Sequence, residues 1–263
     1  QLFPESQAPT SIQTQRRSAL DNASGAKSDE AQRLAEVACD AEKRQATHAI
    51  PQLISMLGDD RETELIPCWA GSSWSPALST FKHASPGEQA AIALASMGTP
   101  AFESLTTALQ SSDPVSQRNA AWAIGELTNM APSEQSDAVV PLISLLDDSD
   151  EWVRMAAARA LGELRDERAG ERLVARLFDS ASGVRQTSAW ALGEMKTHRA
   201  VETLSRVVVT DAQSEVRLAA AEALGEIAHS GAVAALTQAL SDTAPSVRAK
   251  AKWALAEIGD DEG

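Results

Sequence analysis

The sequence predicts an all-α fold, a right-handed α-α superhelix of about six two-helix repeats preceded by a partial N-terminal repeat. Two observations predict it: a five-residue phrase that recurs along the chain, and an Asp–Arg pair that recurs with it. Units that repeat at a fixed period bury their apolar faces only against their neighbours, as in a solenoid. The 263 residues are therefore expected to form mainly one elongated array rather than one or two globular domains.

The recurring phrase has the form Ala-Leu-Gly-Glu after one variable residue. Its fourth position is separated by 37, 31, 32 and 31 residues in successive occurrences, at Gly125, Gly162, Gly193, Gly225 and Ala256. Glycine inside a helix costs about 1 kcal/mol relative to alanine. Its recurrence therefore indicates that a neighbouring helix approaches too closely at this position for a Cβ atom.

The Asp–Arg pair has a constant spacing of six residues. The Asp is expected in the turn between the two helices of a repeat, and the Arg in the first turn of the second helix. Charge-assisted hydrogen bonds within and between repeats would then form a structural ladder. Its members are Asp148 and Arg154, Asp179 and Arg185, Asp211 and Arg217, and Asp242 and Arg248. The second repeat departs from the pattern, with Ser111 and Gln117 at these places.

The elements follow in order along the chain. Residues 1–27 are polar and lack periodicity, which is typical of a disordered arm or linker. The array is predicted to span 28–263. It begins with a capping helix to about residue 45, with Leu34, Val37 and Ala38 on one face. The first complete repeat has helices near 49–57 and 87–97, separated by an insertion of about 58–86. The later repeats are expected at about 101–135, 136–167, 168–198, 199–230 and 231–263.

The insertion carries Cys68, Trp69 and Trp74. A loop of this length is usually functional or disordered, and two Trp argue against disorder. Two interpretations stay open: the insertion folds back and shields the N-terminal end of the core, or it forms part of a binding site. Two cysteines are too few for a disulfide scaffold. Cys39 and Cys68 either form one disulfide or are two buried thiols.

A row of carboxylates follows the recurring Gly position on the face away from the core. Stacked helices would align these residues roughly 10 Å apart. They are either good helix formers on a solvated face or a docking row for a basic peptide or domain. The row consists of Glu126, Glu163, Glu194, Glu226 and Glu257.

A second row lies one helical turn before the first and consists of Trp122, Arg159, Trp190, Glu222 and Trp253. In one interpretation each Trp covers the neighbouring second helix, and Arg159 forms a cation–π stack with the flanking rings. In the other, the Trp and Arg side chains anchor a partner, since these residue types dominate binding hot spots.

Composition excludes several functions. A net charge of −14 repels nucleic-acid phosphates and attracts basic partners. No run of 18 apolar residues is present, so no membrane span is expected. His198 and His229 lie in equivalent inter-repeat turns, but two His make a poor metal site. No phosphate-binding loop, nucleophile elbow or Cys-x-x-Cys motif occurs, and neither catalysis nor a cofactor is expected.

These features together resemble HEAT-like repeats of the short type, with a period of about 31 residues, found in phycobilin lyases and bacterial scaffold proteins. The resemblance covers about residues 47–263. It implies an α-α superhelix whose second helices line the concave side and bind mostly other proteins. The His-Glu pairs of HEAT-like deoxyhypusine hydroxylases are lacking. The acidic face also differs from the basic face of HEAT-like DNA glycosylases.

The sequence thus predicts a non-enzymatic scaffold, expected to be a monomer, that binds a protein or peptide on an acidic, Trp-bearing concave face. The partner is expected to be basic. One alternative is a phycobilin-lyase-like subunit that handles a tetrapyrrole. Another is a regulatory or sensor segment of a larger protein, which the first residue, Gln1, would suit. The compartment stays open between a soluble cytoplasmic and an exported bacterial protein.

Overall fold

The computed structural model describes residues 29–61, 63–64, 83–127 and 130–261. A first helix, α1 (29–44), precedes six pairs of helices, as the sequence predicts. The pairs are α2 (Ile50–Met56) and α3 (Pro86–Met97), α4 (Phe102–Ala108) and α5 (Pro114–Glu126), α6 (Pro132–Leu145) and α7 (Glu151–Leu164), α8 (Gly170–Arg176) and α9 (Ser182–Glu194), α10 (Val201–Thr210) and α11 (Ser214–Ile227), and α12 (Val233–Ala239) and α13 (Pro245–Asp261). The predicted all-α superhelix of two-helix repeats is confirmed.

The turns between repeats share one construction. A residue in the left-handed region ends several helices, and a single 3₁₀ turn follows before the next repeat. Arg165, Lys196 and Ala228 have φ values of 53°, 48° and 52°; Arg165 and Ala228 end α7 and α11, and Lys196 lies one residue after the end of α9. This conformation satisfies carbonyl groups at the helix end. Because it recurs, the repeats that follow α7, α9 and α11 are entered through the same kind of turn.

The core is one continuous cluster of mainly small and aliphatic side chains that runs along the array. Alanine dominates the second helices, for example Ala157, Ala160, Ala191 and Ala223, all 0–1 % exposed. The first helices contribute larger side chains, such as Leu142 and Leu173, both fully buried. Small side chains let helix axes approach closely, which fits a sequence with only 4 % aromatic residues.

Helix α1 packs Leu34 and Ala38 of the predicted face against the core but not Val37. Ala31, Ala35 and Ala38 are fully buried, whereas Val37 is 37 % exposed. The spacing of the three alanines, at i, i+4 and i+7, defines the packed stripe. The prediction for Val37 was wrong because it favoured a large apolar side chain over the helical spacing of the small alanines.

Cys39 on α1 is 4 % exposed and is disulfide-bonded. Cys68, with which the sequence analysis left a disulfide open, lies outside the described residues, as do Trp69, Trp74 and the arm at 1–27. Arg61 connects this end of the array: its guanidinium contacts Asp59 in the turn after α2 and Glu30 at the start of α1. These ion pairs fasten α1 to the first repeat.

Two short strands lie in the insertion and were not predicted from the sequence. Strand β1 (Thr63–Glu64) pairs antiparallel with β2 (His83–Ala84), with Thr63 opposite Ala84. The buried Gln89 side chain of α3 donates from Nε2 to Thr63 Oγ1 at 3.2 Å. The two ends of the insertion are therefore held together and against the first repeat.

Candidate interaction face

The second helices form the inner layer of the array. A Cβ atom added at Gly125 or Gly193 would lie 2.9 Å or 2.8 Å from the Cα of Ala160 or Ala223 in the next second helix. Successive second helices touch along much of their length, whereas successive first helices are farther apart. The array therefore bends with its second helices on the concave side. We call this side the concave face and describe it by its two rows of side chains.

The first row consists of Trp122, Arg159, Trp190, Glu222 and Trp253, one from each of α5, α7, α9, α11 and α13. All three Trp are partly buried and pack against the core. Trp190 Cζ3 would lie 2.8 Å from a Cβ at Gly162, and Trp253 Cζ3 2.5 Å from one at Gly225. Each of these rings thus covers the glycine of the preceding repeat. Glycine is needed there because a Cβ atom would clash both with the next second helix and with the Trp ring.

Two basic side chains of the concave face, Arg159 and Lys250, each contact a carboxylate and a Trp ring. Arg159 Nη2 lies 3.0 Å from Glu126 Oε1, and its guanidinium lies 5.7 Å from the Trp190 ring centroid. Lys250 Nζ lies 2.8 Å from Glu222 Oε1 and 4.6 Å from the Trp253 ring centroid. A cation over an aromatic face gains more as it loses water. Each pair of an acid and a Trp therefore forms a cation-binding unit.

The second row, the five glutamates from Glu126 to Glu257, is not uniform. Arg159 contacts both Glu126 and Glu163, and Arg165 contacts Glu194 at 2.5 Å. Their side chains are only 20 %, 35 % and 28 % exposed. The last two members, Glu226 and Glu257, are exposed and have no ion pair within the described part of the chain. Within this row, the carboxylates without an ion pair are therefore the two at the C-terminal end.

Glu163 lies at the centre of the paired half. Burial raises the pKa of its carboxyl above the ordinary value, and the neighbouring Glu126 and Glu194 raise it further, while Arg159 and Arg165 lower it. Arg165 could not be found from the repeat pattern because Lys196 and Ala228 stand at its place in later repeats. The only available signal was its basic side chain at a helix C-terminus, which is common.

The Asp–Arg ladder runs along another edge, at the turns within repeats. Arg154 donates from Nε and Nη2 to both carboxylate oxygens of Asp179, at 3.0 Å and 2.8 Å. Its Nη1 donates to the backbone carbonyls of Asp148 and Ser149. The carboxylate thus comes from the following repeat, and the Arg's own repeat supplies carbonyls. Arg185 with Asp211 and Arg217 with Asp242 repeat the arrangement.

The ladder ends on both sides. Gln117, in the second repeat, donates to Leu109 O within its own repeat and does not reach Asp148. The second repeat is tied to the first by another contact: Asn119 Nδ2, buried, donates to Leu57 O at 2.8 Å. At the other end, Arg248 Nη1 donates to the carbonyls of Asp242 and Thr243.

The ladder predicts how stability depends on pH. Burial alone would raise the pKa values of Asp179 and Asp211, but hydrogen bonds from Arg154 and Arg185 and from turn N–H groups outweigh it, so both are lowered. For Asp242 the hydrogen bond from Arg217 is the largest cause of a lowered pKa. A carboxyl with a lowered folded-state pKa contributes stability above its unfolded pKa of about 3.9, and this is lost as pH falls further.

We therefore expect the urea midpoint to change little between pH 7 and about 5 and to fall steeply below about pH 4. Glu42 and Glu163, whose pKa values burial raises, act in the opposite direction but are fewer. Circular dichroism across a pH series checks this, with Asp211→Asn as the comparison, because its curve should be flatter. A midpoint that rises below pH 4 would contradict the sign.

The remaining candidate residues are His198 and His229. The His198 and His229 rings lie 5.7 Å apart, edge to face. Within 29–61, 63–64, 83–127 and 130–261, no group of three or more His, Cys, Asp or Glu could hold a metal ion. Among the helices of the described residues, none is long and apolar enough to cross a membrane.

Comparison with known proteins identifies structures with a similar fold. No curated protein matches the sequence significantly. An engineered protein aligns with a TM-score of 0.54 at 22 % identity, over 80 % of this chain and 96 % of its own. A designed armadillo repeat protein in complex with peptide (KR)4 aligns at 0.51 and 21 %, over 80 % and 99 %. The CpcE–CpcF complex of phycocyanin lyase from Nostoc sp. PCC7120 aligns at 0.52 and 26 %, over 60 % and 65 %.

A repeat fold of this kind is usually non-enzymatic and supports a role in protein interaction. The family model for HEAT repeats matches residues 102–193, 139–224 and 207–263. Together these ranges cover more than half of the sequence. The chain therefore belongs to the HEAT repeat family.

Proposed function

We propose that the protein is a non-enzymatic interaction scaffold that binds a basic segment of a partner protein on its concave face, mainly in the C-terminal half. One observation carries the proposal. Glu226 and Glu257 present exposed carboxylates without an ion pair in the described part of the chain, next to the partly exposed ring of Trp253. Farther along the face, Glu126, Glu163 and Glu194 are already paired with Arg159 and Arg165.

The chain's own cations support a basic partner. Lys250 lies between the Glu222 carboxylate and the Trp253 ring, and Arg159 lies between Glu126 and Trp190. A Lys or Arg of a partner would find free carboxylates at Glu226 and Glu257, as Lys250 does at Glu222 and Arg159 at Glu126. The net charge of −14 attracts such a partner over longer distances and raises its association rate.

The spacing of the repeats suits an extended segment. Neighbouring helices stand roughly 10 Å apart, and an extended chain advances about 3.3 Å per residue. Residues three apart in the partner would therefore meet equivalent positions on successive second helices. Because the second helices are packed at glycine, the face is preformed, and little ordering cost is expected on binding.

A charge reversal tests the proposal. The double variant Glu226→Lys/Glu257→Lys should weaken binding of a fluorescent alternating Lys-Arg octapeptide by about tenfold or more, since about 1.4 kcal/mol of lost attraction gives a factor of ten. Fluorescence anisotropy at low and at physiological salt measures the affinity. Circular dichroism checks that the variant keeps its fold, which is expected because both side chains are exposed.

The matched control carries the same charge change elsewhere. Glu171→Lys/Glu202→Lys reverses two exposed carboxylates on the first helices α8 and α10. It should retain most of the affinity. Equal loss in both double variants would mean that net charge alone attracts the peptide. Absence of saturable binding by the unchanged protein would rule out a basic segment as the partner.

A second candidate function rests on the similarity to phycocyanin lyase, at 26 % identity over 60 % of this chain. In this case the protein would be a subunit that handles a tetrapyrrole. Titration with a bilin separates the two candidates: a shifted absorption band that saturates with protein concentration would favour the tetrapyrrole role.

A further inference from the structure

Arg248, the last arginine of the ladder, makes the backbone contacts of the earlier arginines but binds no carboxylate within the described residues. Arg248 Nη1 donates to the carbonyls of Asp242 and Thr243 at 2.8 Å and 3.0 Å. Arg217 makes the same backbone contacts in its own turn, and its Nε and Nη2 bind both oxygens of Asp242 in the next repeat. Within the described residues, Arg248 has no ion pair. Its guanidinium is thus oriented as in the inner rungs.

Apolar side chains beside Arg248 are also uncovered. Leu240, two residues before Asp242, is 40 % exposed, whereas its counterparts Leu146 and Leu177 are 0 % and 1 % exposed. Val233, the first residue of α12, is 40 % exposed, whereas Val201 at the start of α10 is 7 % exposed. In the inner repeats the following repeat covers these positions.

The outer face of helix α13, in contrast, is exposed and partly polar. Lys252 is exposed at the place of the fully buried Ala158 and Ala221. Ala256 stands where inner repeats have glycine. Its Cβ atom would clash with another helix packed as closely as the inner second helices. A repeat face without a packed neighbour is usually polar. The later part of α13 follows this rule, whereas Val233 and Leu240 on the α12 side are exposed and the oriented Arg248 lies in the first turn of α13.

We propose that the end face formed by Val233, Leu240 and Arg248 docks a helix-and-turn segment of a partner protein that presents an Asp or Glu carboxylate beside apolar residues. The carboxylate would bind Nε and Nη2 of Arg248 in the bidentate geometry of the inner rungs, which is the strong form of this contact. The apolar residues would cover Val233 and Leu240. This surface is separate from the concave face and has the opposite charge preference.

A peptide with the sequence of α12 and the turn that follows it can serve as the probe for this end face. A synthetic peptide copying residues 231–245 contains α12 and Asp242, the unit that Arg217 binds inside the array. Isothermal titration of the 263-residue protein with this peptide should show saturable binding. The protein variant Arg248→Gln and the peptide with Asp242→Asn should each weaken binding by about tenfold, as expected for loss of a charge-assisted bidentate contact.

Two controls separate the rung from general charge attraction. Arg199→Gln removes an exposed cation that lies outside the ladder and should leave the affinity unchanged. The Asp242→Asn peptide changes no residue of the protein, so its result is independent of folding. No saturable binding, or equal binding by wild type and Arg248→Gln, would overturn the proposal.

Discussion

Replacing Asp179 with Ala is expected to lower the free energy of unfolding by about 3–5 kcal/mol, because loss of one partner leaves the other charge buried and unpaired. The Arg154 side chain is 10 % exposed and that of Asp179 is 3 % exposed. Without the carboxylate, Nε and Nη2 of Arg154 lose both hydrogen bonds. The N–H of Ala181 also loses its acceptor. Urea unfolding at pH 7, followed by circular dichroism, measures the change.

Asp147→Ala is the matched control for this prediction. Asp147 also binds arginines of the next repeat, Arg172 and Arg176, but its side chain is 44 % exposed. Exposed ion pairs of this kind contribute about 0–1 kcal/mol. Similar losses in the two variants would show that burial does not distinguish the ladder from surface ion pairs, contrary to the structure.

Replacing Gly193 with Val is expected to cost about 3 kcal/mol, at the upper end of the usual range for overpacked cores. The first added atom, Cβ, would lie 2.8 Å from the Cα and 3.0 Å from the Cβ of Ala223. The clash is with backbone, so no flexible side chain can move aside. Helices α9 and α11 would have to separate. Thermal and urea unfolding of the variant measure the loss.

Ala256→Val provides the comparison at the equivalent position of the last repeat. Ala256 is exposed, so the larger side chain meets water and costs only its lower helix propensity, less than about 1 kcal/mol. If Gly193→Val proved as mild as Ala256→Val, the inner helices could separate without loss. Helix spacing would then not depend on glycine.

The parts of this fold that sequence could predict are those enforced in every repeat. Gly193 and Gly225 recur because backbone meets backbone at each interface, and the period of their spacing located the helix pairs. The ladder residues were likewise predictable as a set. Which repeat supplies the carboxylate to Arg154 was not, because a six-residue spacing fits contacts within and between repeats alike.

Features that occur once could not be predicted in this way. The pairing of Arg165 with Glu194 and the strands at Thr63 and His83 break the repeat pattern and depend on tertiary contacts. The glutamate row had the correct period, yet its charge state depends on which neighbours happen to be basic. Arg159 neutralises one part of the row, and nothing comparable reaches Glu226 or Glu257 in the described residues.

The absence of a rung between the second and third repeats has a consequence for cooperativity. In a linear array, stability is transmitted through nearest-neighbour interfaces. The interfaces formed by Arg154, Arg185 and Arg217 each carry a polar tie in addition to helix packing. Where Gln117 stands, no buried rung connects the repeats, and the polar contact between them is the more exposed ion pair of Arg159 with Glu126. The array is therefore a chain of unequal couplings, and unfolding that starts at one end will pause at this junction before it reaches the other.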